Sequence, residues 1–232
     1  MKQRTLFVGY ALLLVSLLGY IGKATAAEEQ RVKIKEATEV MEDILAIPEN
    51  AIPPSLLANA QAIAIVPGVI KAGFIVGGRY GKGIVMRRDR ARRQWSDPVF
   101  LTLAGGSVGF QAGASATDVI LVFKNYRGLD SLVNGKFTLG ADAAVAAGPV
   151  GRNAQAATDV QLRSEILSYS RSRGLFAGVA LDGSVMEIDH AANASYYGKR
   201  GITPREIFEN RAPQHPADAA RLKALISKHA GR

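Results

Sequence analysis

Between Ala60 and Phe123 the chain is apolar, rich in β-branched residues and interrupted by glycine every few positions, and this pattern constrains the fold more than any other. The runs AIAIVPGVIKAGFIVGG, GIVMRR, QWSDPVFLTLAGGSVGFQAG and DVILVFKN read as successive strands. Glycine within a strand marks a bend or a close approach of two backbones. The runs are separated by short polar or glycine-rich turns rather than by helical crossovers, which predicts a mostly antiparallel, curved sheet. Helical patterns flank it. Ala37, Val40, Met41, Ile44 and Leu45 recur on one stripe of a helix from Glu28 to Ile47, ended by Pro48, Pro53 and Pro54. Short helices are expected at Ser55 to Asn59, Arg127 to Leu132 and after Pro204, and a last basic helix at Ala217 to His229. Asn134-Gly135 reads as a tight turn, and Asp182-Gly183 as the turn of a hairpin into Ser184 to Ile188. Thr158 to Leu181 is strand-like, with a helical start from Asp159 left open. The fold class is α+β: a mostly antiparallel curved sheet with flanking helices and an N-terminal signal segment.

The first residues have the form of a targeting segment. Lys2 and Arg4 precede an apolar run from Leu6 to Ile21, and Ala24-Thr25-Ala26 supplies the small residues a signal peptidase requires. The run is shorter than the ~20 residues of a spanning helix, which favours a cleaved leader over a membrane anchor. The expected organisation is a signal peptide at 1–26, a domain at 27–200 that includes the first helix, and a helical extension at 201–232. Export to a periplasm or envelope follows. The chain has no cysteine, which excludes disulfides, thiolate zinc sites and a lipid-modified N-terminal cysteine. Its 29 Lys and Arg outweigh 20 Asp and Glu, and it remains basic after losing Lys2, Arg4 and Lys23. A basic exported chain points to anionic lipid or acidic polymers rather than to nucleic acid.

The motifs for catalysis are weak. Gly105-Gly106-Ser107-Val108-Gly109 has the letters of a nucleophile elbow, but a poor helix start follows and the histidines are only His190, His215 and His229. Gly77 to Gly83 lacks the Ser or Thr that a phosphate loop carries after its lysine, and reads as a turn between strands with Arg79 and Lys82 as optional anion contacts. Asp142, Asp159, Asp182, Glu187 and Asp189 have no metal-binding spacing. No enzyme activity, cofactor or metal is expected.

The cationic residues are more informative. In the run SYSRSRGLFAG, Leu167, Tyr169, Arg171 and Arg173 share one face of a strand, with Arg171 and Arg173 about 7 Å apart. Such a pair can clamp a phosphate, or it is a solvated face. Arg87, Arg88, Arg90, Arg92 and Arg93 crowd into seven residues with Trp95 at their edge. Two readings stand: a membrane-surface loop with the indole at the interface, or a solvated loop with Trp95 in the core. Arg31, Lys33 and Lys35 lead the first helix against its macrodipole, a cost offset by an anionic surface or relieved by fraying.

Several blocks, in order, resemble the SYLF-domain family of lipid-binding and actin-regulator domains. They are IPEN to SLL, VPGVIKAGFIVGG, WSDPVFLTLAGGSVGFQAG, DVILVF, LGADAAVAAGPVGR and SYSRSRGLFAG. The resemblance, to the exported bacterial branch, implies binding rather than catalysis, with phospholipid as the ligand. It places the surface on the helix from Arg31 to Leu45, on Lys71 and on Arg171 and Arg173. The chain itself shows no SH3 or FYVE partner domain, so an actin role is not expected of an exported protein. The leading expectation is an exported, non-enzymatic module for anionic phospholipid head groups, using these residues, Arg79, Lys82 and the arginine loop, with Val40, Met41 and Ile44 inserting if the first helix is free. The alternatives are a protein-interaction or envelope-scaffold module and, less favoured, a hydrolase using Ser107.

Overall fold

A computed structural model describes residues 26–46, 52–73, 76–89, 91, 94–108, 113–149, 163–172, 175–178, 181–213 and 217–230. Helix α1 spans 26–46, and α2 is Pro54–Asn59. The strands are β1 Ala62–Gly73, β2 Val76–Asp89, β3 Gln94–Trp95, β4 Val99–Val108 and β5 Gly113–Phe123. After α3 (Arg127–Asn134) come β6 Phe137–Thr138, β7 Val145–Ala147, β8 Ile166–Ser172, β9 Leu175–Gly178 and β10 Val185–Ile188. The chain closes with α4 His190–Tyr197, α5 Pro204–Phe208 and α6 Asp218–Ala230. The sheet runs β6-β10-β4-β2-β1-β5-β8-β7, with β3 on β2 and β9 on β8. Every strand pair is antiparallel except β7 with β8. The expected α+β class and antiparallel, curled sheet are both present.

The curl has a local cause. The β1 register slips between Ile65 and Ile70 against β2, and between Val66 and Val69 against β5. Gly68 sits in this bulge at φ +60°, where its N–H donates to Asp118 Oδ1 at 2.9 Å. Bulges bend a strand and increase its twist. The bulge presses onto β2 opposite Gly81 and Gly83. A Cβ at Gly83 would stand 2.3 Å from the Ile65 carbonyl oxygen, and one at Gly81 2.8 Å from Val66 Cγ1. The glycines of 77–83 therefore lie inside β2, and the expected turn between strands is not there. Gly81 and Gly83 are glycines because β1 leaves no room for side chains there.

Directly opposed residues of an antiparallel ladder share a face. Registers 63↔122, 65↔120, 65↔84 and 84↔100 place Ile63, Ile65, Ile84, Phe100, Ile120 and Val122 on one face, all buried. Helix α1 is tied to this face at both ends, by Glu29 to Lys82 and by Asp43 to Arg171. Its stripe of Ile34, Ala37, Met41 and Ile44 is fully buried and Val40 nearly so. The amphipathic pattern was legible; its destination is the sheet.

Other expectations need adjustment. The Asp182-Gly183 turn exists, with Gly183 at φ +75°, but β9 and β10 do not pair across it. Instead β10 joins β4 and β6. Asn134-Gly135 closes α3, where the Gly135 N–H donates to Leu132 O. Helix α4 was not anticipated, although Asp189 caps its start by accepting from Ala192 N–H and Gly198 ends it at φ +68°. Buried Asn193 on α4 accepts from Phe100 N–H and donates to Phe100 O, at 3.0 and 3.1 Å. Helix α6 buries Leu222 and Ile226 in the common core rather than standing apart as an extension.

Candidate functional site

Most of the expected cations are already engaged. Arg171 bridges Asp43 of α1 and Asp118 of β5, while Asp118 also holds the β1 bulge. Lys82 meets Glu29 Oε1 at 2.9 Å, and that hydrogen bond raises its pKa above the usual lysine value. On α1, Lys33 pairs with Glu36 at 2.5 Å, Lys35 with Glu39 at 3.8 Å, and Arg31 with Glu28 and Asp218 at 3.6 and 3.4 Å. Alternating charge at three- and four-residue spacing lets the helix neutralise itself. The misplaced basic residues at its start are offset in this way.

The arginine-rich segment divides. Arg88 Nη1 donates to the carbonyls of Leu57 and Ala58 at the end of α2, and its guanidinium lies 5.9 Å from the Trp95 ring centre. Arg87 lies 5.2 Å over Tyr126. Trp95 is 2% exposed, so of its two readings the structure selects the core. Arg90, Arg92, Arg93 and Arg173 fall outside the described residues.

Lys71 and Arg79 differ from the rest. They are direct cross-strand partners near the open end of the β1–β2 pair, and so share a face. Lys71 is exposed, and neither residue has an ion pair among the described residues. The Arg79 Nε is buried without a hydrogen-bond partner. No Asp or Glu occurs from Val66 to Arg88 or from Pro98 to Thr117, so the ends of four adjacent strands are free of carboxylates. Among the described residues the basic stretches are thus paired separately, and Lys71 and Arg79 form a small cationic pair with no acidic partner.

The sequence reading missed Ile70 and Tyr80. They are opposed in register, on the face opposite Lys71 and Arg79, and are 56% and 49% exposed. An apolar strand run reads as core by periodicity, and nothing in its letters shows where cover ends. The converse holds for Val40, Met41 and Ile44. Freeing α1 would uncover several side chains worth about 1.5–3 kcal/mol each. Lipid can repay the helix face, but not the sheet face left bare beneath it. That loss is comparable with the whole stability of a domain, ~5–15 kcal/mol.

The strand–turn–helix context of a nucleophile elbow is missing around Ser107. It lies in β4 opposite Gly77, and the next element is β5. Tyr169, from the expected strand face, is fully buried and packed where a Cβ on Gly148 would touch its ring; burial holds its phenol neutral well above the usual range. Among the described residues no group of three His, Asp or Glu is placed to hold a metal. No described helix is long and apolar enough to cross a membrane.

Residues 104–229 match the Ysc84 family, described as Las17-binding protein actin regulator. The chain is 35% identical over 180 residues to SH3 domain-containing YSC84-like protein 1 of Xenopus laevis, covering 75% of this chain and 53% of that protein. It is 35% identical over 183 residues to Protein YSC84 of Saccharomyces cerevisiae, covering 78% and 38%. Against the human SH3 domain-containing YSC84-like protein 1 it is 34% identical over 198 residues, covering 83% and 57%. The chain therefore belongs to the Ysc84, or SYLF, domain family. It spans roughly 38% to 57% of the length of these relatives. None of the three is named as an enzyme.

Proposed function

We propose that this chain is an exported, non-enzymatic module that binds anionic phospholipid head groups at a membrane surface, in a periplasm or envelope. The observation that carries this is the Lys71–Arg79 pair at a carboxylate-free sheet end. Cations paired with carboxylates have little left to offer a phosphate, whereas these two have no acidic competitor among the described residues. Each basic residue near an anionic bilayer contributes about 1 kcal/mol, so two supply a modest, salt-sensitive attraction. The basic composition and the leader-like first residues support the same reading.

The test is vesicle co-sedimentation across a series of phosphatidylglycerol fraction and salt. Binding is expected to rise with anionic lipid and fall with salt. Lys71→Glu with Arg79→Glu is expected to weaken it at least tenfold, while Lys35→Glu, on the self-paired helix, changes it little. Binding indifferent to lipid charge, salt and the double variant would remove the proposal.

A second reading is favoured by the family description, which names Las17 binding and actin regulation. The same surface would then take an acidic polypeptide. Retention of a protein from envelope extract with no vesicle binding would select it.

A further inference from the structure

Helix α1 stops short of the sheet's open end, and what it leaves bare is apolar. Lys82 and Thr102 are opposed in register, and Arg171 and Asp118 likewise, so the two ties of α1 lie on one level of the sheet. One level further along the same face stand Ala116, Ile70, Tyr80 and Ala104, opposed strand to strand across β5, β1, β2 and β4. All four are exposed. The next level brings Ala72, Gly78 and Gly106, also exposed. No charged side chain stands among these seven residues. On the reverse face Lys71 and Arg79 lie between the two levels.

From this placement we infer that the open end of the sheet enters the acyl boundary of an anionic bilayer, with Ile70 and Tyr80 as the inserted side chains and α1 still docked. This rests on the phospholipid reading above and adds depth to it. Tyrosine suits the boundary, since its ring is apolar and its hydroxyl reaches water or phosphate. Lys71 can bury its stem and lift its ammonium to the phosphates. Charge decides the occupant. A second copy laid on this face would bring two carboxylate-free cationic ends together, whereas an anionic bilayer offers apolar depth and negative charge at once. Acidic residues reappear at Asp118, held by Arg171 and the Gly68 N–H, at Glu187 of β10, opposite Thr102 and paired with Lys136, and beyond it at Asp142 and Asp182.

The test uses the whole chain and vesicles of phosphatidylglycerol with phosphatidylcholine. Tyr80→Trp is expected to shift its emission to the blue on vesicle binding and to be quenched by brominated acyl chains, while buried Trp95 in the unaltered protein does neither. Ile70→Ser with Tyr80→Ser is expected to weaken partitioning at least tenfold and to abolish the part that survives high salt. Both side chains are exposed, so the variant keeps its melting temperature. Val32→Ser, which removes an exposed apolar side chain from α1, is expected to stay within twofold. Binding of the double serine variant within twofold, or an indole in Tyr80→Trp that bromolipid does not quench, overturns the insertion while leaving head-group binding intact. Failure of the unaltered protein to bind any vesicle overturns both. A lipid-free dimer that becomes monomeric in the double serine variant assigns the face to a second copy and also overturns it.

Discussion

Gly83 shows how one residue without a side chain shapes this sheet. A Cβ there meets the Ile65 carbonyl oxygen at 2.3 Å and the Val66 Cα at 2.7 Å, both backbone atoms that cannot step aside. Gly106, in the neighbouring strand, has nothing within 4 Å of its Cβ position. Gly83→Ala is expected to destabilise by about 1–3 kcal/mol, as overpacking does, and Gly106→Ala by less than about 0.5 kcal/mol. Urea denaturation of the pair checks this, and equal midpoints would detach the curl from the bulge. The two glycines look alike as letters. Likewise, Arg171 and Lys71 are both lysine- or arginine-type cations on strands, yet one is bound by two carboxylates and the other by none among the described residues. Partners 53 and 128 positions away in the chain decide such matters, as for Lys82 with Glu29 and Arg171 with Asp43.

Among the elements, α1 and α5 were legible for different reasons. The stripe of α1 is visible in its periodicity, and its self-pairing charges in its spacing. Helix α5 is written at its start: Thr203 accepts from Glu206 N–H, and Glu206 accepts from Thr203 N–H at 2.9 Å, a reciprocal capping box with Pro204 at the first helical position. Glu206 also holds Lys199 at 2.6 Å. The Lys199 hydrogen bond first, then that from the Thr203 backbone, lower its pKa from 4.5 to about 2. A carboxylate depressed in the folded state stabilises above its unfolded pKa and loses that contribution as pH falls through the folded one. The stability gap between the protein and Glu206→Gln should therefore be full above pH 4.5 and shrink toward pH 2. Acid titration of both proteins followed by circular dichroism measures it, and a gap that is flat over this window would exclude the cap as a titrating element. Helix α4 carries comparable signals in Asp189 and Gly198, but its apolar residues form no distinct helical stripe, which hid it.

At the scale of the molecule, the C-terminal helix belongs to the domain. The sequence reads as a domain ending at 200 with a helical extension at 201–232 as an appendage. In the fold, α6 buries Leu222 and Ile226, Lys223 reaches nearly buried Asp97 at 2.8 Å, and Arg221 meets Glu42 of α1 at 2.7 Å. Leu222→Ala is expected to cost about 2–5 kcal/mol and to lower one cooperative transition. Urea denaturation followed in parallel by Trp95 fluorescence and circular dichroism reports it. Two separate transitions would restore the appendage.

What the linear chain determined was local: strand and helix type, the helix stripe, the caps and the membership in a family recognisable by ordered blocks. Periodicity and turn chemistry act over a few residues, so they survive in the letters. What only the tertiary structure decided was where cover ends. Whether Val40 is core and Ile70 is surface, or whether Arg171 is bound by carboxylates and Lys71 by none among the described residues, depends on which distant segment lies against each. The bulge at Gly68 and the path of α1 set that boundary, because burial and charge pairing are properties of surfaces brought together by folding.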